Sequence, residues 1–267
     1  MQVALPMYFP PPGAVQSFWT ALAERLRLDA RCAGLDIPQS LQAAEDVHAQ
    51  WLESDLLLSQ ACGYPLMTLL KDKVQLVGTL AYDAPGVEGI YCRSQLICRA
   101  SDARQTLPDF AGSTLAYNDR ISQSGYNALR ALVAQTTAQS PFFARSIHTG
   151  AHYRSIEAVR TGQADLASID PVSWAHWQRS NPQHDTELRV FGQTASYTGL
   201  PLITSLQTPP AVVEALRSGL QALASEPAAT GVRAPLLITG FVHTSWADYQ
   251  ICLDWQAEAF AAGLQAL

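Results

Sequence analysis

The chain has 267 residues, 48% of them hydrophobic and 15% charged, which is enough apolar material for a sizeable core and too much for a disordered tail. Lys plus Arg number 17 against 23 Asp plus Glu, a net charge of -6. Proteins that hold a nucleic-acid backbone carry the opposite balance, so no nucleic-acid partner is expected. A local anion site stays open, because it takes only a few donors and a helix end.

Short apolar runs alternate with amphipathic stretches, which predicts an α/β fold with substantial parallel pairing. Residues 3–7 read as a short strand. After the loop of Pro10, Pro11, Pro12 and Gly13, Phe18, Leu22 and Leu26 fall at helical spacing. Residues 55–59 and 74–79 read as buried strands, and 113–118 as a strand feeding a helix with Tyr126, Leu129, Leu132 and Val133 on one face. Ile156 and Val159 mark a short helix stopped by Gly162, with a strand over 165–169. Thr208 and Pro209 start a helix continued by Val213, Leu216, Leu220 and Leu223. No Gly-, Ser- or Pro-rich linker divides the chain, so two lobes would require it to cross more than once, near 91–99 and again near 190–201. The expected division is 1–93 with 199–267 as lobe I and 94–198 as lobe II.

The five cysteines include no CxxC pair, which argues against a disulfide framework or a zinc cluster and for buried free thiols. No metal and no cofactor is expected. The first residues lack a basic n-region and an unbroken apolar h-region. Nothing approaches the roughly 20 apolar residues of a membrane span, so no transmembrane segment is expected. The location is read as periplasmic if a signal peptide has been removed, and otherwise cytoplasmic.

The most informative segment runs Leu115-Ala-Tyr-Asn-Asp-Arg-Ile-Ser-Gln-Ser-Gly-Tyr-Asn-Ala-Leu-Arg130. A strand ends at Asn118, and Ser122, Gln123, Ser124 and Gly125 stand at a helix start, where backbone N–H groups and the macrodipole favour an anion. Gly125 would let a ligand approach the backbone. Plain N-capping by Ser122 or Ser124 is the competing explanation.

A second segment, Thr149-Gly-Ala-His-Tyr-Arg-Ser-Ile-Glu-Ala-Val-Arg-Thr-Gly-Gln-Ala-Asp-Leu-Ala-Ser-Ile-Asp170, runs through a short helix and strand to a carboxylate. The order Ser122-Gln-Ser-Gly-Tyr-Asn-Ala-Leu-Arg-Ala-Leu132, then Phe142 and Phe143, then this segment resembles phosphate/phosphite/phosphonate-type ABC-transporter substrate-binding proteins. Leu58-Ser-Gln-Ala-Cys-Gly-Tyr-Pro-Leu66 and Gly89-Ile-Tyr-Cys-Arg-Ser94 are similar to their counterparts in a short subgroup, so the likeness spans Leu5 to about Pro201.

The resemblance implies a two-lobed periplasmic-binding-protein fold of the second type, with two crossing strands and an inter-lobe ligand cleft. It maps the oxyanion donors onto Ser122, Gln123 and Ser124, and the family's Gly-Ser-His element onto Gly150, Ala151 and His152. That departure removes one hydroxyl. The acid closing the next strand maps onto Asp170, an aromatic after the first strand onto Tyr8, and another before the first crossing onto Tyr91. Arg93 is read as the basic residue among these segments that would face the cleft, with a solvated or inter-lobe role as the equal alternative, and Ser59 and Gln60 stand before a second helix start where they would read the ligand's other end.

Each has a plainer role: Asp170 precedes Pro171 and would cap a helix, Tyr8 would pack beside prolines, and a lone histidine is usually structural. If Asp170 does face the ligand, it argues for a ligand carrying donors of its own, since a fully ionised anion would be repelled. An imidazolium at His152 would strengthen anion binding at low pH. The implied function is a monomeric solute-binding protein for a small oxyanion or zwitterion, delivering to an ABC permease. A ligand-sensing module is the first alternative, and an enzyme on the same fold the second. No G-x-S-x-G, H-E-x-x-H or P-loop is present. Cys62 beside a helix start is the one nucleophile candidate, and the reading is that the chain is not an enzyme.

Overall fold

The computed structural model describes residues 1–43, 46–136 and 141–267. Packing divides them into two compact units: Met1–Asp83, Glu88–Ile90 and Thr198–Asp248 form the first, and Ala84–Val87, Tyr91–Tyr197 and Tyr249–Leu267 the second.

The first unit is built on a mixed sheet in the order Gln2–Ala4, Leu56–Gln60, Pro201–Ser205, Val74–Tyr82, Ile238–Val242. Its first two strands are parallel, and the remaining neighbours antiparallel. The strand of residues 56–60 is buried at every position, and 74–82 nearly so. That explains why both read as continuous apolar runs rather than alternating ones. Phe18, Leu22 and Leu26 form the buried stripe of helix Ala14–Leu28, and Val213, Leu216, Leu220 and Leu223 that of helix Pro210–Ser225.

The second unit carries a sheet in the order Leu188–Gln193, Gln95–Arg99, Leu166–Ile169, Thr114–Tyr117, Arg145–His148. Thr114–Tyr117 runs parallel to both its neighbours, while Gln95–Arg99 is antiparallel to its own. Alternation sorts its residues between two cores. Leu96, Cys98, Leu115, Tyr117 and Leu166 pack with Leu129 and Val133 of helix Ala128–Thr136. Ile97, Ala116, Ala167 and Ile169 pack with Ile156 and Val159 of helix His152–Arg160 and with Trp174 and Trp177 of helix Pro171–Ser180. Because the three strands from 114–117, 145–148 and 166–169 point the same way, their carboxyl ends share one edge, the edge at which ligands bind in open α/β sheets.

Two expectations change. The first passage between units falls within residues 83–91, ahead of the expected 91–99, and the second lies at 197–198. A third passage at 248–249 takes Tyr249–Leu267 into the second unit, against the expected assignment of 199–267 to lobe I. Helix Ile251–Ala261 joins that unit because its surroundings are there. Trp255 packs with Ala128 and Ala131, Leu264 enters the core of Leu129 and Val133, and Asn127 Nδ2 donates to the Cys252 carbonyl at 3.0 Å. All five cysteines are buried free thiols. No helix among the described residues is long and apolar enough to cross a membrane.

Gly78 shows how tightly the first sheet is packed. Its φ is +156°, and a Cβ there would stand 2.5 Å from the Phe241 ring and 2.7 Å from the Val242 carbonyl. Backbone cannot yield as a side-chain tip does, so Gly78→Ala should lower folding stability by about 1–3 kcal/mol, read as a lower urea midpoint at unchanged m-value.

Candidate anion-binding turn

Strand Thr114–Tyr117 ends at the sheet edge, and the chain turns through Asn118 and Asp119 into Ser122. Asp119 organises the approach: its carbonyl accepts from Ser122 N–H at 3.2 Å, and its Oδ1 accepts from Ile121 N–H at 3.0 Å. Residues Gln123–Asn127 then form a π turn, one residue wider than an α-helical turn, before helix Ala128–Thr136 begins. Asn127 N–H reaches back to the Ser122 carbonyl at 2.9 Å. Such widened turns recur at functional sites.

The three mapped donors have different occupations. Ser122 is the cap: its Oγ accepts from Gly125 N–H at 3.0 Å. Ser124 Oγ lies 2.9 Å from His152 Nε2. Gln123 is 1% exposed, and its Oε1 accepts from Asn127 Nδ2 at 2.8 Å. The carbonyl of Ser124 accepts two hydroxyls, Ser94 Oγ at 2.9 Å and Ser168 Oγ at 2.7 Å, and Ser94 Oγ also meets Tyr197 Oη at 2.8 Å. These hydroxyls fix the turn from the sheet side.

His152 opens helix His152–Arg160 behind Ala151, which supplies no side-chain cap. Gly150 takes φ +81° and donates its N–H to the Asn118 carbonyl at 3.1 Å, tying this helix start to the end of the preceding strand. Ring atom Nδ1 of His152 is enclosed and has no hydrogen-bond partner. Burial pushes the imidazole down to about 4 from 6.5. Burial thus favours the neutral ring over the ordinary range and disfavours the imidazolium on which stronger binding at low pH would depend.

Gly125 also has a different reason from the one expected. A Cβ there would fall 1.8 Å from Asn118 Oδ1 and 3.1 Å from His152 Cε1, so protein groups occupy the space read as ligand approach. Asn118 Oδ1 is buried without a partner.

Asp170 ends strand Leu166–Ile169 and is 2% exposed. Its Oδ1 accepts from Val172 N–H at 2.9 Å and Ser173 N–H at 3.0 Å, the capping role weighed for it. Tyr91 and Arg93 are exposed, Tyr91 by 49%, and lie ahead of strand Gln95–Arg99. Ser122, Gln123, Ser124 and His152 thus come together in the second unit, and Asp170 stands at the same sheet edge.

Tyr8, Ser59 and Gln60 belong to the first unit. There Tyr82 links two of them: Gln60 Nε2 donates to Tyr82 Oη at 2.9 Å, and the Tyr8 and Tyr82 rings meet edge-on at 5.4 Å. Ser59 Oγ is buried without a partner. Cys62 is buried at the start of helix Gly63–Thr68.

Sequence reasoning missed Asn118, Ser94, Ser168 and Tyr82. Asn118 carried a signal, being the polar residue directly after an apolar strand; the serines and Tyr82 become neighbours only through strand register.

The family model described as ABC transporter, phosphonate, periplasmic substrate-binding protein matches residues 42–249. None of the curated proteins matches the chain. Among solved structures it is similar to a binding protein component of an ABC phosphonate transporter from Pseudomonas aeruginosa, with 16% identity over 98% of this chain and 88% of that one and a TM-score of 0.76. PhnD1 from Prochlorococcus marinus in complex with methylphosphonate is 13% identical over 96% of each chain, with a TM-score of 0.74. A Xanthomonas citri protein bound to ATP is 16% identical over 98% of each chain, with a TM-score of 0.68. At such identities the structural likeness is one of fold: α/β, in the two-lobed architecture of periplasmic binding proteins.

Two outcomes follow from the local geometry. Ser122→Ala should cost about 0.5–2 kcal/mol of stability through loss of the cap, measurable by urea unfolding. The unfolded His152 ring takes its proton near 6.5 and the folded one near 4, so between these values the unfolded state binds more protons, and stability falls as pH drops from 6.5 toward 4. His176, pushed down to about 4 by burial and by Arg179, acts with the same sign. His152→Gln should therefore lose less stability between pH 7 and pH 5 than the parent chain does.

Proposed function

The chain belongs to the family of periplasmic substrate-binding proteins of ABC phosphonate transporters, and on that premise we propose that its second unit binds the oxyanion end of a phosphonate- or phosphate-like solute at the turn of Ser122, Gln123 and Ser124. The observation that carries this reading is the meeting of Ser124 Oγ with His152 Nε2 at 2.9 Å, beside an imidazole Nδ1 that is buried and unpaired. A polar atom enclosed without a partner costs about 1–3 kcal/mol, and a bound ligand would remove that penalty.

The donors in this reading are neutral. With Nε2 carrying the ring proton, His152 donates to Ser124 Oγ, and the serine hydroxyl proton is released toward a ligand oxygen. Nδ1 is then an acceptor, which suits a ligand bearing a donor, such as a monoprotonated phosphonate or an ammonium group. The protein carries solute to an ABC permease and delivers it unchanged, in the periplasm, with residues 1–83, 88–90 and 198–248 as one lobe and 84–87, 91–197 and 249–267 as the other. Tyr91 and Arg93 are offered as further ligand contacts on the second unit, and Tyr8, Ser59 and Gln60 on the first.

Calorimetric titration with phosphate, phosphite, methylphosphonate and aminoethylphosphonate tests this. At least one should give saturable heat, with the ligand recovered unchanged by NMR; turnover would move the protein to the enzyme class. Ser124→Ala should weaken that ligand about tenfold to a hundredfold, the loss of a hydrogen bond to a charged group. A Ser124→Ala protein that binds normally removes the turn from the site.

A further inference from the structure

Behind the turn lies a buried chain of amides whose polarity is set from one end. Arg130 is 4% exposed, and its guanidinium can only donate. Nη2 donates to Asn127 Oδ1 at 2.7 Å, and the Phe260 ring lies 5.0 Å from the guanidinium carbon. The Asn127 amide is therefore fixed with its oxygen toward Arg130. On its other side, the Cys252 carbonyl can only accept, and it takes one Asn127 Nδ2 hydrogen at 3.0 Å. The second Nδ2 hydrogen goes to Gln123 Oε1 at 2.8 Å. Asn127 is fully buried, so water cannot substitute for any of these partners.

The consequence reaches the proposed site. An amide whose oxygen is engaged on one edge presents its NH2 group on the opposite edge. We propose that Asn127 is a positioning residue: Arg130 and the Cys252 carbonyl orient it, and it in turn holds Gln123 so that the amide offers donors, not its carbonyl oxygen, to an anion at the turn. Helix Ile251–Ala261, which holds Cys252 and Phe260, thereby sets the polarity of a binding element it does not belong to. The inference rests on the reading that Gln123 faces the ligand.

Asn127→Asp keeps the shape and the bond from Arg130, but it turns the atom facing Gln123 from donor to acceptor. Gln123 then flips, placing Oε1 where NH2 stood. A double-mutant cycle separates this from a general effect of charge or stability. Titrated with methylphosphonate, Gln123→Ala should raise Kd about tenfold, and Asn127→Asp at least as much. In the Gln123→Ala background, Asn127→Asp should add less than twofold. An equal loss in both backgrounds overturns the relay, as does no loss in either, while a Gln123→Ala protein that binds normally overturns instead the reading that Gln123 faces the ligand. Gln135→Ala, which breaks the 3.0 Å bond to Glu258 Oε2 on the same helix away from the turn, should leave Kd unchanged. If Asn127→Asp fails to fold, the parent protein decides: methylphosphonate should shift the Gln123 side-chain NH2 resonances, and unmoved resonances refute the donor orientation.

Discussion

A backbone carbonyl buried at a helix start must find a donor, and the Ser124 carbonyl finds two, on Ser94 and Ser168. That pinning is compatible with a turn wound one residue too wide, where Asn127 N–H reaches Ser122 O rather than the nearer carbonyl of an α-helix. The wide winding places three consecutive polar side chains in distinct settings: Ser122 against the Gly125 amide, Gln123 against Asn127, and Ser124 against His152. An ordinary α-helical start satisfies its first N–H groups with one cap and leaves the next side chains to the surface. Here all three are at most 5% exposed. The sheet edge, the second helix start at His152 and the helix beyond residue 250 all take their positions against this turn.

Capping therefore accounts for only part of this constellation. Ser122 and Asp170 perform capping bonds, and Ser124 performs none. A single local pattern in the sequence, serine at a helix start, covers both a serine that caps and one that does not, because the pattern records which backbone positions lack partners and not which side chain supplies them. The distinction appears only when the ring of His152, 28 positions along the chain, is brought beside Ser124.

The same reasoning separates what was legible from what was not. Periodicity located the strands over 56–60, 114–117 and 166–169 to within a residue or two, since each is buried on both faces or alternates between two cores. Composition also located the polar turn after Tyr117. It did not reveal that residues 249–267 join the second unit: the amphipathic face of a helix states that something covers it, but not which sheet. Nor did it single out Asn127, whose three side-chain partners lie four residues back, three residues forward and 125 residues away. Ala151 was legible as a missing hydroxyl; beside it, Thr149 Oγ1 donates toward the Tyr117 and Ala151 carbonyls and pairs with Ser155 Oγ.

The five enclosed thiols carry a consequence of their own. Burial holds the thiols of Cys32, Cys92 and Cys98 above their usual range, with the charge of Asp170 adding to the effect at Cys92. Oxidants and alkylating reagents attack the thiolate, so these three thiols react slowly while the fold holds them buried. Exposure of these sulfurs instead marks the moments when a unit opens. Cys92 and Cys252 lie in the second unit, and Cys62 in the first. The labelling rate of each thiol would therefore report on the unit that buries it.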